Sequence, residues 1–258
     1  MKNYVISLTT AAERRAHIAQ EFGKQGVEFE FFDAITPAQN AEVAKHLGVD
    51  IDKANLSAGE ISCLLSHLCL WQKMIDDDLD YIAIFEDDVY LGENAHQFLS
   101  SGDWLPNSAH IIKLETFLTP VLLKNSQPIL GRQLSQLHYS HYGAAGYILS
   151  RQCIFRLFEL LKQQTQITAL DDLLCALALR EPSLQGGVWQ VNPALCIQSN
   201  MIATPQSNQV FASSLDSHRQ THHFDKPKRT LGQKIIREIK ALFNKTRLKL
   251  FGEIVAFK

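Results

Sequence analysis

Short apolar segments alternate with helical segments along roughly the first 165 residues, and this alternation constrains the fold more than any other feature. Predicted strands cover residues 3–8, 27–35, 81–85, 110–115 and 142–150. The spacing of apolar residues and the helix-capping signals predict helices at 11–25, 57–75 and 151–164. Strands that alternate with helices favour a layered α/β fold with a mostly parallel sheet.

Three predicted helices begin at residues that can cap them. Ser57 and Glu60 match the S-x-x-E capping box, in which each residue's side chain bonds the other's main-chain N–H. Ser150 is expected to cap the helix that follows it, and Thr9 or Thr10 the first helix. The capping signals therefore support the helix boundaries that the periodicity predicts.

The composition is that of a globular protein, with 46% hydrophobic and 20% charged residues among 258. No run approaches the ~20 apolar residues that span a bilayer, and the N-terminus lacks the pattern of a signal peptide. Five cysteines, an odd number without a CxxC pair, are expected to be reduced. We therefore expect a cytosolic protein.

Charge divides the chain into an acidic body and a basic tail. Residues 226–249 hold nine Lys or Arg and one acid, a local charge of +8 that leaves −10 for the rest of a chain with net charge −2. The predicted division is a globular domain at 1–225 and a tail at 226–258.

Three carboxylates, Glu86, Asp87 and Asp88, directly follow the apolar strand segment at 81–85. Crowded carboxylates repel one another, and burial strengthens the repulsion. Alternate residues of a strand point the same way, so Glu86 and Asp88 can converge while Asp87 faces elsewhere. The cluster suits Mg²⁺ or Mn²⁺ beside a diphosphate. The alternative interpretation is a solvated turn.

Other polar residues allow a functional or an ordinary structural interpretation. Cys63 and His67 have zinc-ligand spacing, but two further ligands are missing nearby in the sequence, which favours a buried cysteine and a hydrogen-bonded histidine. His218, near Arg219, could bind a metal or phosphate, or lie on a surface loop. Asp171 and Asp172 are either catalytic or favourable charges at a helix start.

The order of segments resembles glycosyltransferase family 25, which includes lipooligosaccharide galactosyltransferases of Gram-negative bacteria. GEISCLLSH and IFEDDV, at the spacing found here, carry the resemblance, which covers about residues 3–200. Supporting segments are YVISL, FFDAI, GAAGYILS, the Asp pair and PALCIQ. The sequence contains no GxxxxGK(S/T), GxGxxG or GxSxG motif, so P-loop, Rossmann dinucleotide-binding and GxSxG hydrolase folds lack their fingerprints here.

The resemblance implies a GT-A fold, which is a nucleotide-sugar-binding α/β sandwich, and inverting transfer from a UDP-sugar with Mn²⁺ or Mg²⁺. It gives the E-D-D segment the role of the D-x-D motif. Glu86 and Asp88 then hold the metal, with His218 as a third candidate ligand. UDP-galactose is the expected donor, and UDP-glucose is the alternative. The expected acceptor is a glycolipid or oligosaccharide of lipooligosaccharide or lipopolysaccharide.

Inversion requires a carboxylate that takes the acceptor's proton, and Asp171 and Asp172 are the candidates. The residues expected to bind the donor include strand-end positions and positions on the capped helix. They are Ser7, Thr9, Arg14, Asp33, Ser66, His67, Asp87 and Lys113. The resemblance also implies that Ser66, His67 and the GAAGY segment line the sugar pockets.

Two alternatives of other classes remain open at the level of sequence. A metal between carboxylates would serve another nucleotide-phosphate enzyme, such as a nucleotidyltransferase or a phosphohydrolase, equally well. The second alternative is a carbohydrate-binding or scaffold protein without catalytic activity.

The tail at 226–251 has an apolar face at helical spacing with basic residues around it. A basic amphipathic helix favours an anionic membrane surface, here the cytoplasmic face of the inner membrane. The alternative is a helix packed on the acidic body. Nucleic acid is not the expected partner, because the tail has two Phe and no Tyr or Trp for stacking.

Overall fold

The structure is a computed structural model that describes residues 1–139, 141–202, 242 and 245–258. The α-helices between residues 1 and 202 are α1 (Ala12–Lys24), α2 (Asn40–Leu47), α3 (Ala58–Asp76), α4 (Ala95–Leu99) and α5 (Arg151–Gln163). The first six strands are β1 (Lys2–Ser7), β2 (Glu30–Asp33), β3 (Tyr81–Glu86), β4 (Val89–Leu91), β5 (Ile111–Lys113) and β6 (Pro120–Val121). The remaining six are β7 (Leu123–Ile129), β8 (Arg132–Leu137), β9 (Gly146–Ser150), β10 (Val188–Asn192), β11 (Cys196–Gln198) and β12 (Glu253–Ile254).

Eight strands form the central sheet in the order β2-β1-β3-β9-β5-β10-β8-β7. Strands β1, β2 and β3 are parallel, and so are β5 and β10, while β9 and β8 run antiparallel to their neighbours. Six of the eight strands therefore point in one direction, which confirms the predicted α/β fold with a mostly parallel sheet.

The sheet has a buried core on each face. Along β1, Tyr4 packs into one core and Val5 into the other, because successive side chains of a strand point to opposite faces. The first core also contains apolar residues of α2, α3 and α5, and the second contains those of α1 and α4. The result is a sandwich of three layers, with helices on both sides of the sheet.

The local capping signals are confirmed at two helices and wrong at the third. Ser57 and Glu60 form the predicted capping box at the start of α3, and the Ser150 hydroxyl accepts a hydrogen bond from the Cys153 N–H. Thr9 and Thr10 lie in an exposed turn, and α1 begins instead at an N-cap without a side-chain hydrogen bond. A threonine before an apolar run is therefore not sufficient evidence of a cap.

Sequence reasoning missed the hairpin of β7 and β8, whose strands pair antiparallel at the sheet edge. The strand β7 is largely exposed, so it lacks the apolar alternation that marks a half-buried strand. The helix predicted after Asp171 is a π-helix at Asp172–Leu177, followed by a 3₁₀ turn at Ala178–Arg180.

The last residues of the chain belong to the globular body. Strand β12 pairs antiparallel with β6, and Val255 is fully buried in the core. Arg132 binds the main-chain oxygen of Lys258 at 2.6 Å. Residues 245–251 are helical, whereas most of the predicted amphipathic helix at 226–251 lies outside the described residues. The described part of the tail beyond 252 is thus packed on the body.

Candidate functional site

The candidate site lies at the carboxyl edge of the parallel strands. There β1 ends at Ser7, β3 ends at Glu86 and β5 ends at Lys113. Asp87 and Asp88 form the turn from β3 to β4. Ligands of open α/β sheets bind at this edge, because the strand ends and the loops that follow them meet there.

Asp87 is the member of the acidic cluster that is fixed by neighbouring protein groups. Its carboxylate accepts a 2.7 Å hydrogen bond from the Ser7 hydroxyl and forms a 2.8 Å ion pair with Arg14 on α1. Two of the predicted donor-binding residues, Ser7 and Arg14, therefore meet a third at this carboxylate. This contact fixes the turn after β3 against the end of β1 and the start of α1.

Glu86 and Asp88 converge on a second partner, Gln198 of β11. The Gln198 amide nitrogen lies 3.2 Å from Glu86 Oε2 and 3.4 Å from each carboxylate oxygen of Asp88. Burial raises the pKa of Glu86 well above its usual value, and the Asp88 charge raises it further. Burial also raises the pKa of Asp88, although Arg14 acts against this shift. The neutral Gln198 amide adds no positive charge, and Arg14 offsets only part of the negative charge, because the pKa values of both carboxylates remain raised.

A fourth carboxylate, Glu115, lies just beyond β5. It is fully buried and paired with Lys113 at 2.7 Å, and its Oε1 also accepts a hydrogen bond from the Ala145 N–H. Burial raises the pKa of Glu115 despite the nearby ammonium group, and the Asp88 charge raises it slightly more. The Oε2 atom has no hydrogen-bond partner among the described residues.

Sequence reasoning missed Glu115 and Gln198 as site residues. Glu115 ends the segment HIIKLE, so its place at the carboxyl end of a predicted strand was an available signal. Gln198 carried no such signal, because β11 reaches the cluster by pairing with β4, which follows the acidic turn. Residues so distant in sequence become neighbours only in the folded chain.

The residues present fit a hard divalent cation. Glu86 and Asp88 offer carboxylate oxygens at one place, and this is the donor type that Mg²⁺ and Mn²⁺ prefer. The raised pKa values of both groups show that the folded chain disfavours their negative charge without a cation. The third predicted metal ligand, His218, lies outside the described residues.

The predicted donor-binding residues of α3 are buried and bound to other protein groups. Ser66 accepts a hydrogen bond from the Ile35 N–H at 2.9 Å. His67 is fully buried, and its Nδ1 lies 2.7 Å from the Tyr147 hydroxyl. Burial lowers the pKa of His67 to about 3, so its imidazole is neutral at neutral pH. Donor binding by these two residues stays a prediction.

Lys113 is also buried and bound to protein groups. Its ammonium group contacts Glu115 and the main-chain oxygens of Tyr142 and Gly143. A contact between Lys113 and a donor stays a prediction. Its partner Glu115 acts on the acidic cluster through charge, because the Glu115 carboxylate helps to raise the pKa of Glu86.

The remaining predicted residues have no described contact with the acidic cluster. Asp33, at the end of β2, forms an ion pair with Arg15 at 2.5 Å, and Thr9 is exposed in its turn. Asp171 caps the π-helix by accepting the Asp172 N–H at 3.0 Å. Asp172 is partly buried, and burial raises its pKa, with a smaller contribution from Asp171. No described contact joins the Asp pair to the acidic cluster.

In the GAAGY segment, the space beside Gly143 and Gly146 is occupied by other groups of the protein. A Cβ atom added to Gly143 would lie 2.7 Å from Glu115 Oε2, and one added to Gly146 would overlap the Cys196 sulfur. Glycine at these two positions therefore lets the Glu115 side chain and strand β11 pack directly against the main chain of the segment. Lining of a sugar pocket by this segment stays a prediction.

The chain matches known proteins over most of its length. Residues 1–174 match glycosyltransferase family 25, described as an LPS biosynthesis protein. The chain is 36% identical over 271 residues to the lipooligosaccharide biosynthesis protein lic2B of Haemophilus influenzae, covering 99% of each chain. It is 38% identical over 266 residues to the lacto-N-neotetraose biosynthesis glycosyltransferase LgtE of Neisseria gonorrhoeae, covering 98% of this chain and 90% of that one.

The similarity to solved structures is weaker than the similarity to these relatives in sequence. A glycosyltransferase involved in the glycosylation of the major capsid of PBCV-1 aligns with a TM-score of 0.42 at 9% identity, over 81% of this chain and 97% of that one. The relatives in sequence carry the identification, because their matches extend over nearly the whole chain. This chain belongs to glycosyltransferase family 25.

Proposed function

We propose that this glycosyltransferase moves a hexose from a UDP-sugar, UDP-galactose in the first place, onto a lipooligosaccharide or lipopolysaccharide glycan. The observation that carries the metal-dependent part of the proposal is the convergence of Glu86 and Asp88 on Gln198 at the carboxyl edge of the sheet. The printed names of the relatives, lipooligosaccharide and lacto-N-neotetraose biosynthesis, support the class of acceptor.

In this proposal Glu86 and Asp88 hold Mn²⁺ or Mg²⁺. When bound, the cation supplies Lewis-acid stabilisation of the charge that develops on the departing diphosphate. Asp87 acts differently, since it orients the turn through Ser7 and Arg14. Arg14 adds positive charge on the α1 side of the site. Ser7, Thr9 and Asp33, at or just after the ends of β1 and β2, are proposed to frame the nucleotide.

We propose inversion, with Asp172 as the general base and Asp171 as its alternative. The Asp171 carboxylate caps its own helix, whereas Asp172 has a raised pKa that brings a carboxylate closer to the proton affinity a base requires. Asp172 would accept the proton of the acceptor hydroxyl as that oxygen attacks the anomeric carbon.

The test is a donor screen with Mn²⁺ that measures UDP release with and without an acceptor glycan. UDP-galactose and UDP-glucose are compared, and CTP and sugar phosphates test the alternative of another nucleotide-phosphate enzyme. We expect Asp88→Asn to abolish metal-dependent release, while Asp103→Asn, on an exposed loop, retains it. Full release by Asp88→Asn, or release without any metal after chelation, would contradict the proposal.

We also propose that the enzyme binds the cytoplasmic face of the inner membrane through residues 226–251. In the described part of this segment, Leu250 and Phe251 are 68% and 71% exposed beside Lys245, Arg247 and Lys249. Exposed apolar side chains among basic residues are the composition of a membrane-surface helix. Among the described residues, no helix is long and apolar enough to cross a bilayer.

A further inference from the structure

Cys63, His67 and Glu86 form a second group of potential metal ligands beside the acidic cluster. One ligand atom from each residue lies within 4.8 Å of the other two. Cys63 and His67 lie one turn apart on α3, and Glu86 ends β3, so the helix and the sheet meet at this point. Cys63 Sγ lies 4.0 Å and His67 Nε2 lies 3.9 Å from the same atom, Glu86 Oε1.

His67 provides an independent indication of a ligand. Its side chain is fully buried, and Nδ1 is engaged by the Tyr147 hydroxyl. Its Nε2 atom, by contrast, has no hydrogen-bond partner among the described residues and faces Glu86 Oε1. A buried polar atom without a partner costs free energy, so such atoms usually have a water or an ion as partner. Tyr147, which also accepts a hydrogen bond from Trp71, fixes the ring in this orientation.

We propose that Cys63, His67 and Glu86 form a binding site for Zn²⁺, and that zinc bound there inhibits the transferase. Thiolate, imidazole and carboxylate are the three ligand types that zinc takes in proteins, and sites with three protein ligands leave a fourth position for water. Binding displaces the thiol proton to solvent, so thiolate and carboxylate together balance the charge of the cation. This chemistry differs from the all-oxygen set of Glu86 and Asp88.

The distances allow such a site after a small contraction. Zinc takes sulfur at about 2.3 Å and nitrogen or oxygen at about 2.0–2.1 Å, which places tetrahedral ligand atoms roughly 3.4–3.5 Å apart. The separations of 3.9 and 4.0 Å from Glu86 Oε1 exceed this by about half an ångström. The ligand atoms of Cys63 and His67 lie within 4.8 Å of each other, so binding requires the Cys63 side chain to turn towards His67 as well as towards Glu86.

Inhibition follows from the two faces of Glu86. Its Oε1 faces Cys63 and His67, while its Oε2 lies beside Gln198 and hence beside Asp88. Zinc on Oε1 withdraws electron density from the carboxylate that the proposed function uses to hold Mn²⁺ or Mg²⁺. The inhibitory part therefore rests on the proposed function, whereas the zinc site itself does not.

The test uses the full chain and Co²⁺, which replaces zinc and reports a thiolate ligand by a charge-transfer absorption in the near ultraviolet. We expect one equivalent of Co²⁺ to give this absorption and Zn²⁺ to displace it. Cys63→Ser should abolish the absorption and weaken Zn²⁺ binding by more than the about 10–100-fold lost when a partner outside the ligand shell is removed. Cys69→Ser, on the same helix and also partly exposed, is the matched control and should retain both.

A measurement on the unmodified protein covers the case that Cys63→Ser does not fold. Zn²⁺ should slow alkylation of Cys63 by iodoacetamide, as followed by peptide mass spectrometry, without slowing that of Cys69. In the transfer assay, zinc should inhibit the parent enzyme and Cys69→Ser, each relative to its own zinc-free rate, and Cys63→Ser much less.

Absence of the thiolate absorption in the parent protein, or its persistence in folded Cys63→Ser, would overturn the site. Equal protection of Cys63 and Cys69 would do the same. Zinc binding at Cys63 without inhibition would overturn the inhibitory role alone. An inactive enzyme that still shows the thiolate absorption would count against the proposed function and leave the zinc site standing.

Discussion

The Thr116 hydroxyl donates a 2.6 Å hydrogen bond to the main-chain oxygen of Val255, although 139 residues separate the two. Thr116 directly follows Glu115 of the candidate site, and Val255 directly follows β12. The end of the chain therefore supports the loop that carries a site carboxylate. Deletion of residues 226–258 would also remove this support. Such a deletion would therefore change the body as well as the tail.

The first prediction concerns the packing of the Val255 side chain against the body. Val255→Ala should lower the free energy of unfolding by about 2 kcal/mol, because a fully buried valine side chain leaves a cavity. Urea denaturation measures the change. The neighbouring Ile254→Ala, at a side chain 57% exposed, is the control and should change stability little. Equal stability of Val255→Ala and the parent protein would show that burial of the Val255 side chain does not stabilise the fold.

The second prediction concerns the pH dependence of stability without metal. The pKa of Glu86 is raised above 4.5 in the folded protein, so the folded state binds this proton more tightly than the unfolded chain. The stabilisation is fully present below pH 4.5 and is lost as the pH rises through the raised pKa. In EDTA, Glu86→Gln should reduce this loss, measured by thermal unfolding between pH 4 and 8. Exposed Glu42→Gln should keep the parent profile.

The third prediction separates the two candidates for the general base. Asp172→Asn should lower the transfer rate by ~10²–10⁴-fold with little change in UDP-sugar affinity, because the base acts on the acceptor and not on the donor. Asp171→Asn keeps a side chain that can cap the π-helix and should retain most of the activity. Steady-state kinetics and donor titrations distinguish the roles. Near-normal turnover of both variants would place the base elsewhere.

The fourth prediction concerns Asp87 as a positioning residue. Asp87→Asn should lower the free energy of unfolding by about 1–3 kcal/mol, because the partly buried Arg14 loses its charged hydrogen-bond partner. It should also raise KM for the donor more than it lowers kcat. Asp33→Asn breaks a more exposed ion pair, with Arg15, and should cost at most ~1 kcal/mol. If both variants lower the free energy of unfolding by the same amount, the Asp87–Arg14 ion pair stabilises the fold no more than an exposed ion pair does.

The fifth prediction concerns the membrane surface. The double variant Leu250→Ser and Phe251→Ser should reduce sedimentation with anionic vesicles of phosphatidylglycerol and phosphatidylcholine, without loss of stability, because both side chains are exposed. Phe155→Ser, at an exposed position on α5, is the matched control. Higher salt should weaken binding of the parent protein. Unchanged sedimentation of the double variant would argue against this surface.

Several features of the protein could be predicted from the sequence because neighbours in the chain create them. The alternation of strands and helices, the capping box of Ser57 and Glu60 and the divergence of Asp87 from its two neighbours all follow from local geometry. The same local reasoning failed at Thr9 and Thr10, since it could not see which residue the turn would place at the N-cap.

Tertiary structure decided which groups share the site. Gln198 meets Glu86 across 112 residues, and the Glu86 carboxylate completes the pair of Cys63 and His67 that lacked further ligands in the sequence. Pairing of β11 with β4 brings Gln198 to the acidic cluster, and packing of α3 on the sheet places Cys63 and His67 beside the end of β3. Capping and alternation act over a few residues and can be read from the sequence, whereas strand order and helix packing join residues across the whole chain. Only the folded chain fixes those contacts, because they depend on the burial of many apolar side chains at once.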